Sequence, residues 1–283
     1  MSRFQRTLAL ARASWAVLKS DRSLALFPVF SALASIVLIA VLGALGWFTK
    51  GTGAPDAAGH TQYTANAATI VIGIGLYVGL AFIQTYFLAG LVGSANEVLE
   101  GRPTTVSQGM GIASSRVSRL LPWALVSATV SWIMQSLEQR AGLIGRLVIS
   151  FLGAAWSVLT FLTIPIILFE NVGPITALKR SGTLTKSTWG ENIFAQMGFG
   201  LIAIVPILVA VGIGFAGVAS KTLVLAIPAV AIAVVIILVT AVVISALSGI
   251  FRTALYRYAT DGAIPGAFAN TDLEHAFGPK KRR

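Results

Sequence analysis

The chain has no cysteine, two histidines and ten carboxylates among 283 residues. The first absence removes disulfides and thiol chemistry. His60 and His275 stand far apart, outside any apolar run, so no metal-ligand spacing exists and no cofactor is expected. The carboxylates (Asp21, Asp56, Glu97, Glu100, Glu138, Glu170, Glu191, Asp261, Asp272 and Glu274) fall between the long apolar runs or at their ends. Nor is a basic residue expected at mid-span. Ionisable groups inside spans mark proton relays, ion pathways and intramembrane hydrolases, so their scarcity argues against a pump or a proton-coupled carrier. Nucleophile elbows and zinc-protease motifs are missing too. Residues 214–222, GFAGVASKT, lack the second glycine that a phosphate loop carries before its lysine, and no strand precedes them. The chain reads as a non-enzyme.

What is present is apolar. Hydrophobic residues make up 56% of the chain and charged ones 11%, with a mean hydropathy of +0.83, whereas a soluble domain is about a quarter charged. Several runs exceed the ~20 residues needed to cross a hydrocarbon core. Barrel strands would alternate over ~10 residues, and these runs are far longer. The expected fold is therefore all-α: a polytopic helical bundle, residues 1–258, with spans at 24–48, 66–95, 120–137, 143–169, 193–217 and 223–258. A polar basic tail, 259–283, follows, and the Gly- and Ala-rich loop at 49–65 is expected to be flexible. The apolar run at 24–48 is too long for the core of a cleavable signal.

The net charge of +11 would suggest nucleic acid on a soluble protein. Here the cations flank apolar spans, so anionic phospholipid and topology are the better explanation. Placing both termini in the cytoplasm puts 17 of the 21 Lys and Arg on that side, leaving Lys50, Arg140, Arg146 and Lys221 opposite. That asymmetry predicts a multi-pass protein of the cell membrane with its N- and C-termini inside. The last run is longer than a bilayer requires, so Arg252 and Arg257 are expected to project into the cytoplasm.

Residues 170–192 form the longest polar interruption in the apolar second half, and 174–189 within them read as a helix. Pro174 suits a first helical turn. At 100° per residue Ile175, Ala177, Leu178, Ser181, Gly182, Leu184, Thr185, Thr188 and Trp189 share one half of the wheel. Thr176, Lys179, Arg180, Thr183, Lys186 and Ser187 share the other. Such a helix suits the bilayer interface, with cationic side chains reaching lipid phosphates; an ordinary solvated loop helix is the alternative. Lys179, Arg180, Lys186 and Trp189 are the candidate head-group residues. Residues 1–23, with Phe4, Leu8, Ala11, Trp15 and Leu18 at helical spacing, predict a second such helix, the alternative being a disordered basic arm. Residues 103–119, with the stripe Val106, Met110, Ala113 and Val117, predict a third. Each precedes a span pair, and Pro103 and Pro174 begin the second and third. That is an architectural repeat; any even-span protein with basic inner loops would show part of it.

The stretch FENVGPITALKRSGTLTKSTWGEN (169–192), with a start like SWAVLKSDRSLALFPVFS (14–31), resembles an uncharacterised bacterial family of six-span integral membrane proteins. It is also similar, more distantly, to the membrane domain attached to some glycerophosphoryl diester phosphodiesterases. Pro174, Ala177, Ser181 and Trp189 occupy the positions of the recurrent helix motif. The resemblance implies a membrane location and no known activity, and this chain has no segment long enough for a phosphodiesterase barrel.

Other candidates are structural. Gly75 and Gly79, and the ladder Ala241, Ser245 and Gly249, are spaced for close helix contact. Pro206, followed by Gly212, Gly214 and Gly217, marks a kink in span five, either a static one or a gate. Asn96, Glu97, Glu100 and Arg102, with Glu170, Asn171, Glu191 and Asn192, are placed to form one polar network; capping and local ion pairs are the plainer account, a head-group or ion site the alternative. The function these features suggest is non-enzymatic organisation of lipid or of a partner protein. The alternative is a transporter or facilitator for a small uncharged or lipid-like molecule.

Overall fold

The computed structural model describes residues 3–49, 51–55, 61–64, 66–189 and 199–269. Helix α1 (Arg3–Ser20) leads through a short 3-10 turn (Arg22–Ala25) into α2 (Leu26–Thr49). Then come α3 (Ala67–Leu99), α4 (Val106–Ser114), α5 (Val117–Arg140), α6 (Leu143–Thr160), α7 (Thr163–Glu170), α8 (Pro174–Trp189), α9 (Phe199–Ala219) and α10 (Leu223–Asp261). A last 3-10 turn spans Gly266–Phe268. Among the described residues six helical segments are long and apolar enough to cross a membrane, α6 and α7 counting as one. The protein is an all-α, multi-pass bundle.

Two sequence expectations change. The loop at 49–65 contains a small antiparallel hairpin, β1 (Gly51–Pro55) against β2 (Thr61–Thr64), with an irregular register between Thr52 and Pro55. The β-branched and aromatic residues of TQYT favour that extended pairing. The fourth span is not one helix. Pro165 has no N–H for the Phe161 carbonyl, and its ring crowds that carbonyl; the chain breaks after Thr160 and restarts at Thr163. By contrast α9 runs unbroken through Pro206.

The threefold order is present: a short helix, then a hairpin of long ones, three times. Its packing is cyclic. Helix α4 lies on α3, the last span of the first unit; α8 lies on α6 and α7, the last span of the second; α1 lies on α10, the last span of the third. The buried positions coincide as well. In α1 they include Leu10, Ser14, Val17 and Leu18, and in α8 they are Ala177, Ser181, Leu184 and Thr185, the same i, i+4, i+7, i+8 stripe. Helix α4 buries Gly109 and Ala113 at the first two of those positions.

These short helices therefore turn their apolar faces to protein, which corrects the simplest picture of helices floating on lipid. In α1 the buried stripe leaves Trp15 45% exposed, and in α8 Ile175 is exposed. Pro174 does open α8, but α4 starts later than Pro103, with Thr105 and Gln108 forming a reciprocal capping box.

The core gathers at the end of the bundle that carries α1, α4 and α8, here called the capped end. Leu24, Phe27, Leu91, Val92, Leu120, Leu162, Ile166, Ile167 and Ile250 are all fully buried there. Toward the other, open end, Trp47, Phe48, Val71, Leu143, Val218 and Val224 are exposed. In lipid such surfaces need no protein cover, because hydrocarbon chains are as apolar as leucine.

Candidate functional site

Close approach at the capped end is set by glycine. Phe27 wedges between α3 and α4 where Gly90 meets Gly109, and a Cβ on Gly109 would come within 2.8 Å of the Gly90 carbonyl oxygen. Gly249 of α10 meets Leu91 of α3 in the same way. Gly79 abuts Leu38 across the first hairpin. Gly75 does not: a Cβ there would meet nothing within 4 Å. Ala241 and Ser245 are exposed to a cavity instead of packed against a neighbouring helix.

That cavity has a volume of about 410 Å³ and lies between α2, α3, α5, the α6–α7 break and α10. Its apolar wall includes Leu88, Leu91, Trp123, Ile164 and Val242. Polar groups converge on it from five helical segments: Ser31, Thr85, Ser127, Thr160, Ser245 and Arg252. The Ser31 hydroxyl is buried in a residue only 4% exposed and has no hydrogen-bond partner. The Arg252 Nε is also buried and unpartnered. Its guanidinium sits 4.7 Å from the Phe161 ring centroid, a cation–π contact that returns part of the lost hydration.

Arg252 does not project freely into solvent. It is half-buried and lines the cavity. The α10 helix continues past it for more than two further turns, and the capping helices close around that end.

Two polar clusters lie below the cavity. In the first, Arg257 donates to Asn96 Oδ1 at 3.3 Å and to Glu100 Oε1 at 2.8 Å, while Arg102 donates to Glu97 at 2.6 Å and pairs with Glu100. Hydrogen bonding to Glu97 raises the Arg102 pKa above its already high ordinary value. In the second, Glu170 accepts from Arg180 at 3.4 Å and from the Tyr256 hydroxyl at 3.3 Å. Asn171 takes the left-handed conformation that ends α7. The sequence joined these residues as one network; the structure makes two, bridged by adjacent residues of α10. Glu191 and Asn192 lie outside the described residues.

Of the head-group candidates, Lys179, Arg180 and Lys186 are exposed on α8, Arg180 being tethered to Glu170. Trp189 closes α8, and its side chain lies outside the described part of the structure. Ser181 has another task. Fully buried, its hydroxyl accepts the Leu162 N–H at 3.3 Å, a donor in the turn between α6 and α7. No group of three or more His, Asp or Glu that could hold a metal occurs among the described residues.

The model of a family of unknown function, DUF6159, matches residues 67–266. The chain belongs to this family. The match runs from α3 to the final 3-10 turn and so includes four of the five segments that line the cavity. No curated protein and no solved structure matches the chain. DUF6159 membership agrees with the resemblance to an uncharacterised membrane family, while nothing in these comparisons links the chain to glycerophosphoryl diester phosphodiesterases.

Sequence reasoning missed Arg252 and Pro165 in this DUF6159 chain, and both left a signal. Residue 252 lies three positions beyond Gly249 and seven beyond Ser245, so it continues the small-residue ladder on the same helical face. Pro165 sits inside an apolar run, where a proline breaks the backbone ladder.

Proposed function

We propose that this DUF6159 protein is a non-enzymatic membrane protein that gathers anionic phospholipid at one leaflet, with its capped end and both termini in the cytoplasm. One observation carries the reading. The densely packed end of the bundle is also its cationic end: Arg12, Lys19, Lys179 and Lys186 are exposed there on helices whose other faces are buried. The apolar open end is left for lipid chains to cover. A Lys or Arg near an anionic surface contributes about 1 kcal/mol, so a few of them shift the local lipid population measurably. The excess of Lys and Arg on the capped side supports a cytoplasmic placement.

The test replaces Lys179, Arg180 and Lys186 together with Gln and measures the acidic lipid that co-purifies with the protein. Reduced retention at equal yield supports the reading; unchanged lipid composition rejects it.

A second reading, a facilitator for a small or lipid-like molecule, rests on the cavity. Against a through-going path, the α10 wall residues of the cavity run from Leu238 to Arg252, leaving the first four turns of that helix outside it. Transport assays in proteoliposomes separate the two.

A further inference from the structure

We infer that the cavity lined by Arg252 and Ser31 is a binding site for the anionic head of an acidic lipid, drawn in sideways from the bilayer. The first argument is charge. Among the described residues no carboxylate pairs with Arg252; its guanidinium has the aromatic contact with Phe161, and its Nε has no hydrogen-bond partner. A cation withdrawn from water without a counter-charge is costly. An anion would restore that balance.

The second argument is hydrogen bonding. Buried hydroxyls are almost always satisfied, yet Ser31 Oγ, on a different helix, is buried, unpartnered and part of the same wall. Thr85, Ser127 and Ser245 add further hydroxyls. Hydroxyl donors around one guanidinium make a receptor for phosphate or carboxylate oxygens.

The third argument is depth and access, and it selects a lipid over a free anion. Arg252 lies about 43 Å along α10 from Leu223 at 1.5 Å per residue, beyond a hydrocarbon core about 30 Å thick. That is the level of the capped-side head groups. Helical side chains lean toward the N-terminus of their helix, here toward the bilayer and toward Ser245. The exposed residues of the cavity wall include Ala32, Leu238 and Ala241, on helices that cross the membrane. An apolar mouth at that level admits a chain-bearing molecule more readily than a hydrated ion. The site shares no residue with the cationic α8 face, so the two are tested separately.

The experiment uses the full-length protein in detergent and native mass spectrometry, with phosphatidylglycerol, phosphatidylcholine and inorganic phosphate as probes. The wild type binds phosphatidylglycerol in preference to phosphatidylcholine. Arg252→Gln lowers that affinity about tenfold, the scale of one charge-assisted contact, and Arg252→Lys restores part of it. Ala241→Trp blocks the mouth with the guanidinium intact and also lowers binding. The triple Gln variant of α8 keeps this bound lipid even where its bulk lipid retention falls. Unchanged phosphatidylglycerol binding in both Arg252→Gln and Ala241→Trp overturns the inference. So does inorganic phosphate displacing the lipid at equal concentration, which would make the site one for a free anion.

Discussion

Arg257 donates to Glu100 at 2.8 Å across 157 positions of sequence. Its neighbour Tyr256 donates to Glu170 at 3.3 Å, and the two rings Phe169 and Tyr256 stack with centroids 5.4 Å apart. One turn near the end of α10 therefore grips α3 on one side and α7 on the other. The third structural unit is locked to the first and second at the capped end, directly below the cavity that Arg252 lines.

That clamp sets the first prediction. Arg257→Gln leaves Glu100 with Arg102 and the Asn96 amide and lowers stability by about 1–2 kcal/mol, because the pair is only partly exposed. Thermal unfolding of the detergent-solubilised protein at low and high salt checks it. A loss that is larger at low salt is expected, and no loss in either buffer counts against the clamp.

Ser181 and Pro165 make a coupled pair. Ser181→Ala strands the Leu162 N–H in a buried turn and costs about 1–3 kcal/mol. Pro165→Ala gives the helix back its missing donor, so the turn can close into continuous α-helix. In that background the Ser181 hydroxyl is no longer needed, and a double-mutant cycle shows a coupling of more than about 0.5 kcal/mol. Strict additivity would refute the assigned role.

Glycines at similar sequence spacing differ in consequence. Gly249→Ala and Gly109→Ala drive a methyl into Leu91 and into the Gly90 backbone, and each lowers stability by about 1–3 kcal/mol. Gly75→Ala meets open space and is neutral or slightly stabilising, since alanine is the better helix former by about 1 kcal/mol. Melting temperatures of the three variants rank them.

Orientation has a direct readout. A phosphatase that is active only outside the cytoplasm, fused after Arg283, stays silent, and the same enzyme inserted at the 50–65 loop is active. The reverse pattern would invert the proposed topology.

Much of the architecture could be read from composition. Long apolar runs with no carboxylate inside them leave little but helices across a bilayer, because each helix satisfies its own backbone groups. Leu24, Ala89 and Ile250 belong to such runs, and among the described residues the candidate spans begin and end within a few residues of those expected, the expected start of the fifth at 193 lying outside the described residues. In α8 the buried residues Ala177, Ser181, Leu184 and Thr185 lie on one half of the wheel drawn from the sequence. What covers that face was not. Periodicity reports that a stripe is apolar; it carries no sign of whether lipid or protein lies against it.

The amino-acid order alone determined that this chain crosses a membrane about six times in three similar units, since hydrophobic length and charge placement act locally along the polymer. Only the folded arrangement decided that Gly75 faces open space while Gly249 meets Leu91, and that a short helix from each unit caps the unit before it. It alone turned Arg252 from an end-of-helix cation into the charged floor of a cavity. Those outcomes depend on which distant surfaces meet, and the energy of a buried charge is set by the neighbours that tertiary packing brings to it.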